Sequence, residues 1–156
     1  MATVEVTFTP LPAHVRTARL VATAVARRSG VDEALLDEVR LAVGEACSRA
    51  VEAHRRHCPA EPVRIEMTDQ DERFVVVVSD HAPTAPAALA APAGSNGVGV
   101  GSDHSAEAAR EPGNGTAIAA GFGLAVISGL ADDVRVSSTS SGVSVRMSWP
   151  SSAATA

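Results

Sequence analysis

The residues between 35 and 51 constrain the fold more than any other part of the chain. Apolar side chains recur there at i, i+3, i+4 and i+7 over several turns: Leu35, Leu36, Val39, Ala42, Val43, Ala46, Cys47, Ala50 and Val51. This spacing collects them on one face of an α-helix. Asp32 is a suitable N-cap, and Pro59 closes the segment. The sequence therefore predicts an amphipathic helix that needs a second layer to cover its apolar face.

Alternating strand patterns on both sides of this helix supply that layer. Three of them precede or follow the helix closely, at 3–8, 63–69 and 73–80, and two more lie at 133–138 and 142–149. Helical patterns are found at 14–29 and 121–133. Because helices and hairpin-connected strands are interspersed without strict βαβ alternation, we predict an α/β (α+β) two-layer sandwich. Its sheet should be mixed, largely antiparallel, with the helices on one face.

The composition predicts one domain with a long internal loop. The chain has 156 residues, of which 46% are hydrophobic, so it has enough apolar mass for a core of its own. We assign this domain to residues 1–150. Within it, residues 82–116 are rich in Ala, Pro, Gly and Ser, which predicts a flexible, lid-like loop. Residues 151–156 are predicted to form a disordered tail.

Charge and cysteine content exclude several classes of protein. The net charge of −5 argues against a nucleic-acid binder, which needs clustered Lys and Arg. The first residues lack the pattern of a signal peptide, and the uncharged stretch 116–131 is short for a membrane span. Two cysteines, Cys47 and Cys58, fit a reducing compartment. We therefore predict a cytoplasmic protein without a nucleic-acid or membrane partner.

Glu45 and Arg49 lie on the same flank of the predicted central helix, away from the middle of its apolar face. An i, i+4 pair of this kind commonly forms a surface ion pair worth about 0.2–0.5 kcal/mol. The same two positions are also suited to a site beside the helix. The sequence pattern alone leaves both interpretations open.

Two further segments carry candidate site residues. Asp80 ends a hydrophobic strand, where it could form a turn or accept a hydrogen bond from an exocyclic amine such as that of adenine. Gly121 and Gly123 precede an apolar helix, where free backbone N–H groups could bind an anion, or where glycine could simply allow tight packing. His54, His57 and Cys58 do not have a specific metal-ligand spacing, so no metal site is predicted.

The order of these segments resembles a known family. The helix contains E-A-x-x-x-A-V at 45–51, Asp80 ends a strand with V-x-D, and G-x-G-L-A-V-I-x-x-L-A-D-D-V follows at 121–134. A closing hairpin begins with G-x-x-V-R-M at 142–147. Together they resemble the anti-sigma-factor serine kinases of the RsbW/SpoIIAB type, within the GHKL ATPase superfamily.

The resemblance implies a function and a set of partners. Such proteins bind a sigma factor and keep it from RNA polymerase. They also bind a STAS-domain anti-anti-sigma protein, which they commonly phosphorylate on serine. They usually act as dimers and hold Mg·ATP between the helix, the sheet and the lid.

The resemblance also assigns roles to individual residues. Glu45 occupies the position of the general base, and Asp80 that of the adenine-reading aspartate. Gly121 and Gly123 match the second glycine box of the nucleotide site. Arg49 replaces the asparagine that holds Mg²⁺ in the family. Because a guanidinium has no acceptor atom, Arg49 cannot ligate a metal; it could instead contact a phosphate or pair with Glu45.

The first glycine box also departs from the family pattern. Where the family has D-x-G-x-G, this chain has Asp80-His81-Ala82-Pro83-Thr84. Pro83 removes a backbone N–H, and Ala82 and Thr84 add Cβ atoms where the backbone would approach a nucleotide. These changes leave ATP binding open and argue against Mg²⁺.

Three functions are therefore expected, in order of preference. The first is an anti-sigma-factor-like regulatory protein that binds a sigma factor or a STAS-domain protein as a homodimer, with lost or weakened kinase activity. The second is an active serine kinase that uses Glu45. The third is a nucleotide sensor that binds ATP without Mg²⁺ through Asp80, Gly121, Gly123 and Arg49.

Overall fold

The computed structural model describes residues 2–82 and 126–152, which form two layers. Its elements, in chain order, are β1 (Ala2–Phe8), α1 (Pro12–Arg28), a 3₁₀ turn (Glu33–Leu35), α2 (Leu36–His57), β2 (Val63–Gln70), β3 (Arg73–Ser79), β4 (Asp133–Thr139) and β5 (Gly142–Pro150). Residues 126–130, just before β4, are helical. No helix within these ranges is long and apolar enough to cross a membrane.

The five strands form one open sheet in the order β1-β2-β3-β5-β4, and each neighbouring pair is antiparallel. The predicted two-layer α+β fold is confirmed. β3 lies at the centre of the sheet, which explains its run of four valines, Val75 to Val78. A strand with neighbours on both sides has few exposed positions, so it tolerates apolar residues on both faces.

One face of the sheet packs against α2, and α1 packs beside α2. The side chains that β3 and β5 send to this face are buried, among them Phe74, Val76, Met147 and Trp149. The Trp149 ring lies 6.3 Å from that of Phe74, measured between centroids. The Trp149 indole N–H also donates to the Leu130 carbonyl at 3.1 Å, which fastens the helical residues 126–130 to β5.

Local backbone signals explain most of the element ends. Gly30 has φ +84° and follows the last turn of α1, as its predicted position after the helix requires. The Asp32 carboxylate accepts from the Ala34 N–H at 2.8 Å, but the residues it caps form the 3₁₀ turn, so α2 begins at Leu36. The predicted β2–β3 hairpin turns through Asp71 and Glu72, with φ 50° and 59°. Two positive φ angles match a tight two-residue turn.

The chain after β5 differs from the sequence prediction at two positions. Ser151, which was predicted to lie in a disordered tail, donates its N–H to the Glu72 carbonyl at 2.8 Å. The Ser152 N–H donates to Gly30 at 3.0 Å. These bonds hold the chain against the turns after β2 and α1, so the tail prediction is wrong for these two residues. The predicted lid beyond Ala82 and residues 153–156 lie outside the described residues.

Candidate functional site

Arg49 and Asp80 form a buried ion pair between the helical layer and the sheet. Arg49 projects from the middle of α2, and Asp80 follows directly after β3. The Arg49 Nη1 donates to the Asp80 Oδ2 at 2.8 Å. The exposed fraction of the side chain is 12% for Arg49 and 0% for Asp80. Arg49 thus supplies the positive charge that a buried carboxylate requires.

Backbone donors occupy the second oxygen of Asp80. The Asp80 Oδ1 accepts from the Ala82 N–H at 3.1 Å and from the Val143 N–H at 3.2 Å. The Asp80 N–H donates in turn to the Val143 carbonyl at 2.9 Å. Both carboxylate oxygens are therefore hydrogen-bonded to groups of the chain itself.

Gly142 permits this close approach of β5 to Asp80. A Cβ at Gly142 would lie 2.0 Å from the Asp80 carbonyl oxygen, and the residue has φ +153°, which L side chains rarely adopt. The glycine that the family resemblance places at the start of the last hairpin is thus required by backbone contact with Asp80.

Glu45 does not form the i, i+4 pair that its spacing with Arg49 suggested. Arg49 bonds to Asp80 instead, and Glu45 is half-buried at the wall of a cleft of about 440 Å³ between α1 and α2. This cleft is lined by Pro12, Val15, Arg16, Arg19, Glu45, Ser48, Arg49, Val51, Glu52 and Arg55. The structure therefore joins Arg49 to Asp80, and it places Glu45 and Arg49 on the lining of the same cleft.

Arg19 crosses from α1 over the backbone of α2 at Gly44. A Cβ at Gly44 would lie 2.1 Å from the Arg19 Nε, so only glycine leaves room for this guanidinium. The Nε atom is buried and has no hydrogen-bond partner within 2–82 and 126–152. Burial raises the pKa of the nearby Cys47 thiol to about 12, although the positive charge of Arg19 opposes the rise.

His54 is a site residue that the sequence did not reveal. His54 precedes Arg55, Arg56 and His57 in the last turn of α2, yet it is fully buried. Its Nε2 accepts from the His81 N–H at 2.9 Å, and its Nδ1 lies 2.8 Å from the Glu61 carbonyl. An accepting Nε2 places the ring proton on Nδ1. His54 thus fixes the chain directly after Asp80 against the end of α2.

Several predicted site residues lie outside the described residues. These are Gly121 and Gly123 of the second glycine box, together with Pro83 and Thr84 of the first. Ala82 is described and is 1% exposed. Within 2–82 and 126–152, no group of three or more His, Cys, Asp or Glu side chains is arranged to hold a metal ion.

Comparison with known proteins identifies the family. The model of the histidine kinase-like ATPase domain matches residues 8–149, so the chain belongs to this family. Among solved structures, the chain is similar to the RsbU and RsbW domains of Rv1364c from Mycobacterium tuberculosis, with 14% identity and a TM-score of 0.62. The match covers 97% of this chain and 33% of that one, and it supports the fold. No curated protein sequence gave a match.

Membership of an ATPase family makes ATP the first ligand to consider beside Asp80. Arg49 and two backbone N–H groups use three of the roughly four lone-pair positions of the Asp80 carboxylate, so one position on Oδ2 remains for a further donor. The Arg49 side chain has no acceptor atom, so it cannot itself be a ligand of a magnesium ion. In this arrangement the charge of Asp80 is neutralised from within the chain.

Proposed function

We propose that this protein is a regulator of the anti-sigma-factor type that recognises its protein partners without phosphorylating them. Its partners would be a sigma factor, a STAS-domain anti-anti-sigma protein, or both in turn, as in a partner-switching pathway. The family membership and the fold shared with an RsbW-containing structure support this class of regulator. We further propose that it acts as a single domain and as a homodimer.

The ion pair between Arg49 and Asp80 is the observation that carries the proposal. A GHKL domain that transfers phosphate has to admit a nucleotide at the aspartate and a metal at the helix. Here the arginine of the helix neutralises the aspartate from within the chain. Opening the pair for a ligand would leave the buried Asp80 carboxylate without its cation, at a cost of about 3–5 kcal/mol.

An active serine kinase is the second candidate, and one observation favours it. Glu45 borders the cleft between α1 and α2 and has no ion-pair partner within the described residues. A free carboxylate at this place is suited to accept the proton of a serine hydroxyl. This candidate requires that Arg49 leave Asp80 when a nucleotide enters.

The test combines nucleotide binding with partner binding. Calorimetric titration with ATP, with and without Mg²⁺, should show no binding to the wild-type chain. Candidate sigma factors and STAS-domain proteins from the same organism, purified singly, should include at least one that forms a stable complex without nucleotide. Failure of every candidate to bind would contradict the proposal.

Two variants separate the candidates. Arg49→Asn frees Asp80 and restores an oxygen ligand on the helix, so it should gain ATP binding. Arg55→Asn, which removes an arginine from the same cleft, is the matched control and should not. Mg²⁺-dependent transfer of phosphate to a bound STAS protein by the wild type, lost in Glu45→Gln, would establish the kinase instead. Binding of ATP without Mg²⁺, lost in Asp80→Ala, would establish the nucleotide sensor.

A further inference from the structure

The imidazole ring of His54 joins three segments of the chain. The residue lies in the last turn of α2, and its side chain is fully buried. The Nδ1 atom lies 2.8 Å from the carbonyl oxygen of Glu61, on the connection to β2. The Nε2 atom accepts from the N–H of His81, just after β3, at 2.9 Å. Both ring nitrogens are therefore engaged with backbone groups, each from a different segment.

The backbone on both sides of the ring is held by bonds of its own. The Cys58 N–H donates to the His54 carbonyl at 2.8 Å, and the Glu61 N–H donates to the Cys58 carbonyl at 3.0 Å. On the other side, the Asp80 N–H donates to a carbonyl of β5 at 2.9 Å. The two partners of the ring are thus fixed in place, and neither can exchange its role in the hydrogen bond.

The two contacts require opposite roles of the two ring nitrogens. A backbone carbonyl only accepts, so Nδ1 must carry a proton; a backbone N–H only donates, so Nε2 must be unprotonated. This is the neutral form of the ring. A second proton would be added at Nε2, where it would point at the N–H of His81. Because an imidazolium has no acceptor atom, the doubly protonated ring of His54 cannot make this contact.

Two carboxylates lie near this end of α2, but neither is hydrogen-bonded to the ring. Asp80 is already neutralised by Arg49. Glu61 contacts the ring through its backbone carbonyl, and the residue is exposed. Burial raises the pKa of the Cys58 thiol, and the charges of Glu61 and Asp80 raise it further, so both carboxylates act on this turn. They can attract an imidazolium, but at Nε2 the facing group is still the His81 N–H.

The other charged or titratable groups around the ring are mostly basic. On α2 they are Glu52, which pairs with Arg56, and Arg55 and His57; after β3 there is His81. The ring of His81 belongs to an exposed residue, and its centroid lies 6.0 Å from that of His54. The strand positions buried at this end of the sheet, Val63, Val78 and Val143, carry no charge. Acidification therefore adds positive charge to both segments that the contact joins, which favours their separation.

We propose that His54 is a pH-dependent switch, in which protonation of its ring releases residues 81 and 82 from α2. The neutral ring holds the chain that follows Asp80. A ring that is free in water takes its second proton near pH 6.5. The contact requires the neutral ring, so the stability that it contributes is present above about pH 6.5 and is lost as the pH falls below it.

The switch affects the site at Asp80 because the released residues include one of its donors. The Ala82 N–H donates to the Asp80 Oδ1 at 3.1 Å, and Ala82 is buried. When residues 81 and 82 leave α2, this oxygen loses a donor and becomes accessible to a donor from solution. The contacts of Asp80 with Arg49 and Val143 belong to α2 and β5, so they persist. Acidification thus opens access to Asp80 without breaking the buried ion pair.

NMR of the full chain between about pH 8 and about pH 5 tests the proposal. The ¹⁵N shifts of the His54 ring should show the neutral form with a proton on Nδ1 at the upper end and the doubly protonated form at the lower end. The protection factor of the His81 amide, which corrects for the pH dependence of exchange itself, should fall by about tenfold per pH unit once the ring titrates. The amide of Val76, in the central strand, should keep its protection.

Three histidine variants identify the group that titrates. His54→Gln keeps a donor and an acceptor at the end of the side chain but cannot be protonated, so its His81 amide should stay protected at low pH. His57→Gln is the matched control, because it removes an exposed ring from the same turn of α2. His81→Gln removes the neighbouring ring and keeps the backbone N–H. Both of these variants should lose protection with falling pH as the wild type does.

Several results would overturn the proposal. They are a His54 ring that stays neutral until the central strand loses protection, a protonated ring with unchanged protection at His81, and a pH dependence that survives in His54→Gln or disappears in His81→Gln. If His54→Gln does not fold, the wild type and the other two variants still decide. No nucleotide or protein partner enters the experiment, so its outcome is independent of the function proposed above.

Discussion

The Arg49–Asp80 pair and the paired positions Arg135 and Arg146 place charged groups in opposite situations. On the helical side, a carboxylate with no exposed surface is neutralised by an arginine 31 positions away in the chain. On the opposite side, Arg135 and Arg146 lie side by side with like charge. In the first region the two opposite charges neutralise each other within the chain, so little net charge remains to attract a small ionic ligand. The second retains charges that another molecule could neutralise.

The largest effect is expected from breaking the buried pair. Arg49→Met keeps an apolar stem but leaves the Asp80 carboxylate buried without a cation, so the free energy of unfolding should fall by about 3–5 kcal/mol. Arg56→Met is the matched control, because Arg56 forms an exposed i, i+4 pair with Glu52 on the same helix. That change should cost less than about 0.5 kcal/mol. Urea unfolding measures both, and similar losses would contradict the contrast between buried and exposed charge.

A second change tests the backbone that surrounds the pair. Gly142→Ala adds a Cβ 2.0 Å from the Asp80 carbonyl at a φ of +153°. We expect a loss of about 1–3 kcal/mol, because the strand must shift or adopt a strained conformation. Gly129→Ala is the control, since a Cβ there meets nothing within 4 Å. Equal stability of the two variants in thermal unfolding would show that β5 does not need to approach Asp80 closely.

The pH dependence of stability tests how dry the helical side is at Cys47, beside Arg19. The pKa of Cys47 is about 12 in the folded chain, against an ordinary value of 9.0. The folded-state pKa is the higher one, so the stabilisation is complete below pH 9 and is lost as the pH rises toward 12. The slope between these limits should be roughly 1.4 kcal/mol per pH unit. Urea unfolding across this range should show it.

The sequence makes this titration unusually simple to interpret. All 13 basic residues are arginines, and the chain has no tyrosine, so lysine and phenol groups do not titrate in this range. Cys58 remains, and burial raises its pKa as well. Cys47→Ala should reduce the slope while Cys58→Ala should leave most of it. An unchanged slope in Cys47→Ala would mean that the thiol is hydrated.

The smallest effect is expected from Arg146, which is paired with Arg135 across β4 and β5. Arg146→Thr removes one of two like charges, so the isolated chain should gain about 0.2–1 kcal/mol of stability. Urea unfolding measures this effect. A loss of stability there would show that Arg146 already has a stabilising partner within the chain.

Sequence periodicity predicted most of the fold because it depends on near neighbours in the chain. The apolar positions of α2 and the alternation in β2 and β3 each define a buried face without reference to the rest of the molecule. The hairpin turn was also predictable, although Asp71 and Glu72 adopt positive φ angles without a glycine. The 3₁₀ turn at residues 33–35 was missed, because Asp32 caps either kind of helix.

The candidate site was harder to predict because its contacts join distant segments. A helical wheel places Arg49 beside Glu45, whereas in the folded chain Arg49 bonds to Asp80 at the end of β3, in the other layer. The family resemblance did place Arg49 and Asp80 in one nucleotide site. An arginine close to a buried aspartate indicates an ion pair. His54 gave no such signal, since its role depends on the backbone of His81. The pairing of Arg135 with Arg146 likewise depends on the register of β4 and β5.

Trp149 gives the molecule an internal optical probe. It is the only tryptophan and the chain has no tyrosine, so ultraviolet-excited emission comes from this one indole. The ring is 1% exposed, and its N–H bonds to the carbonyl at the end of the helical residues 126–130. Emission wavelength and lifetime should therefore record how this helix sits on the sheet. A ligand or partner that displaces this helix should change the emission of Trp149, so its binding can be followed without an attached label.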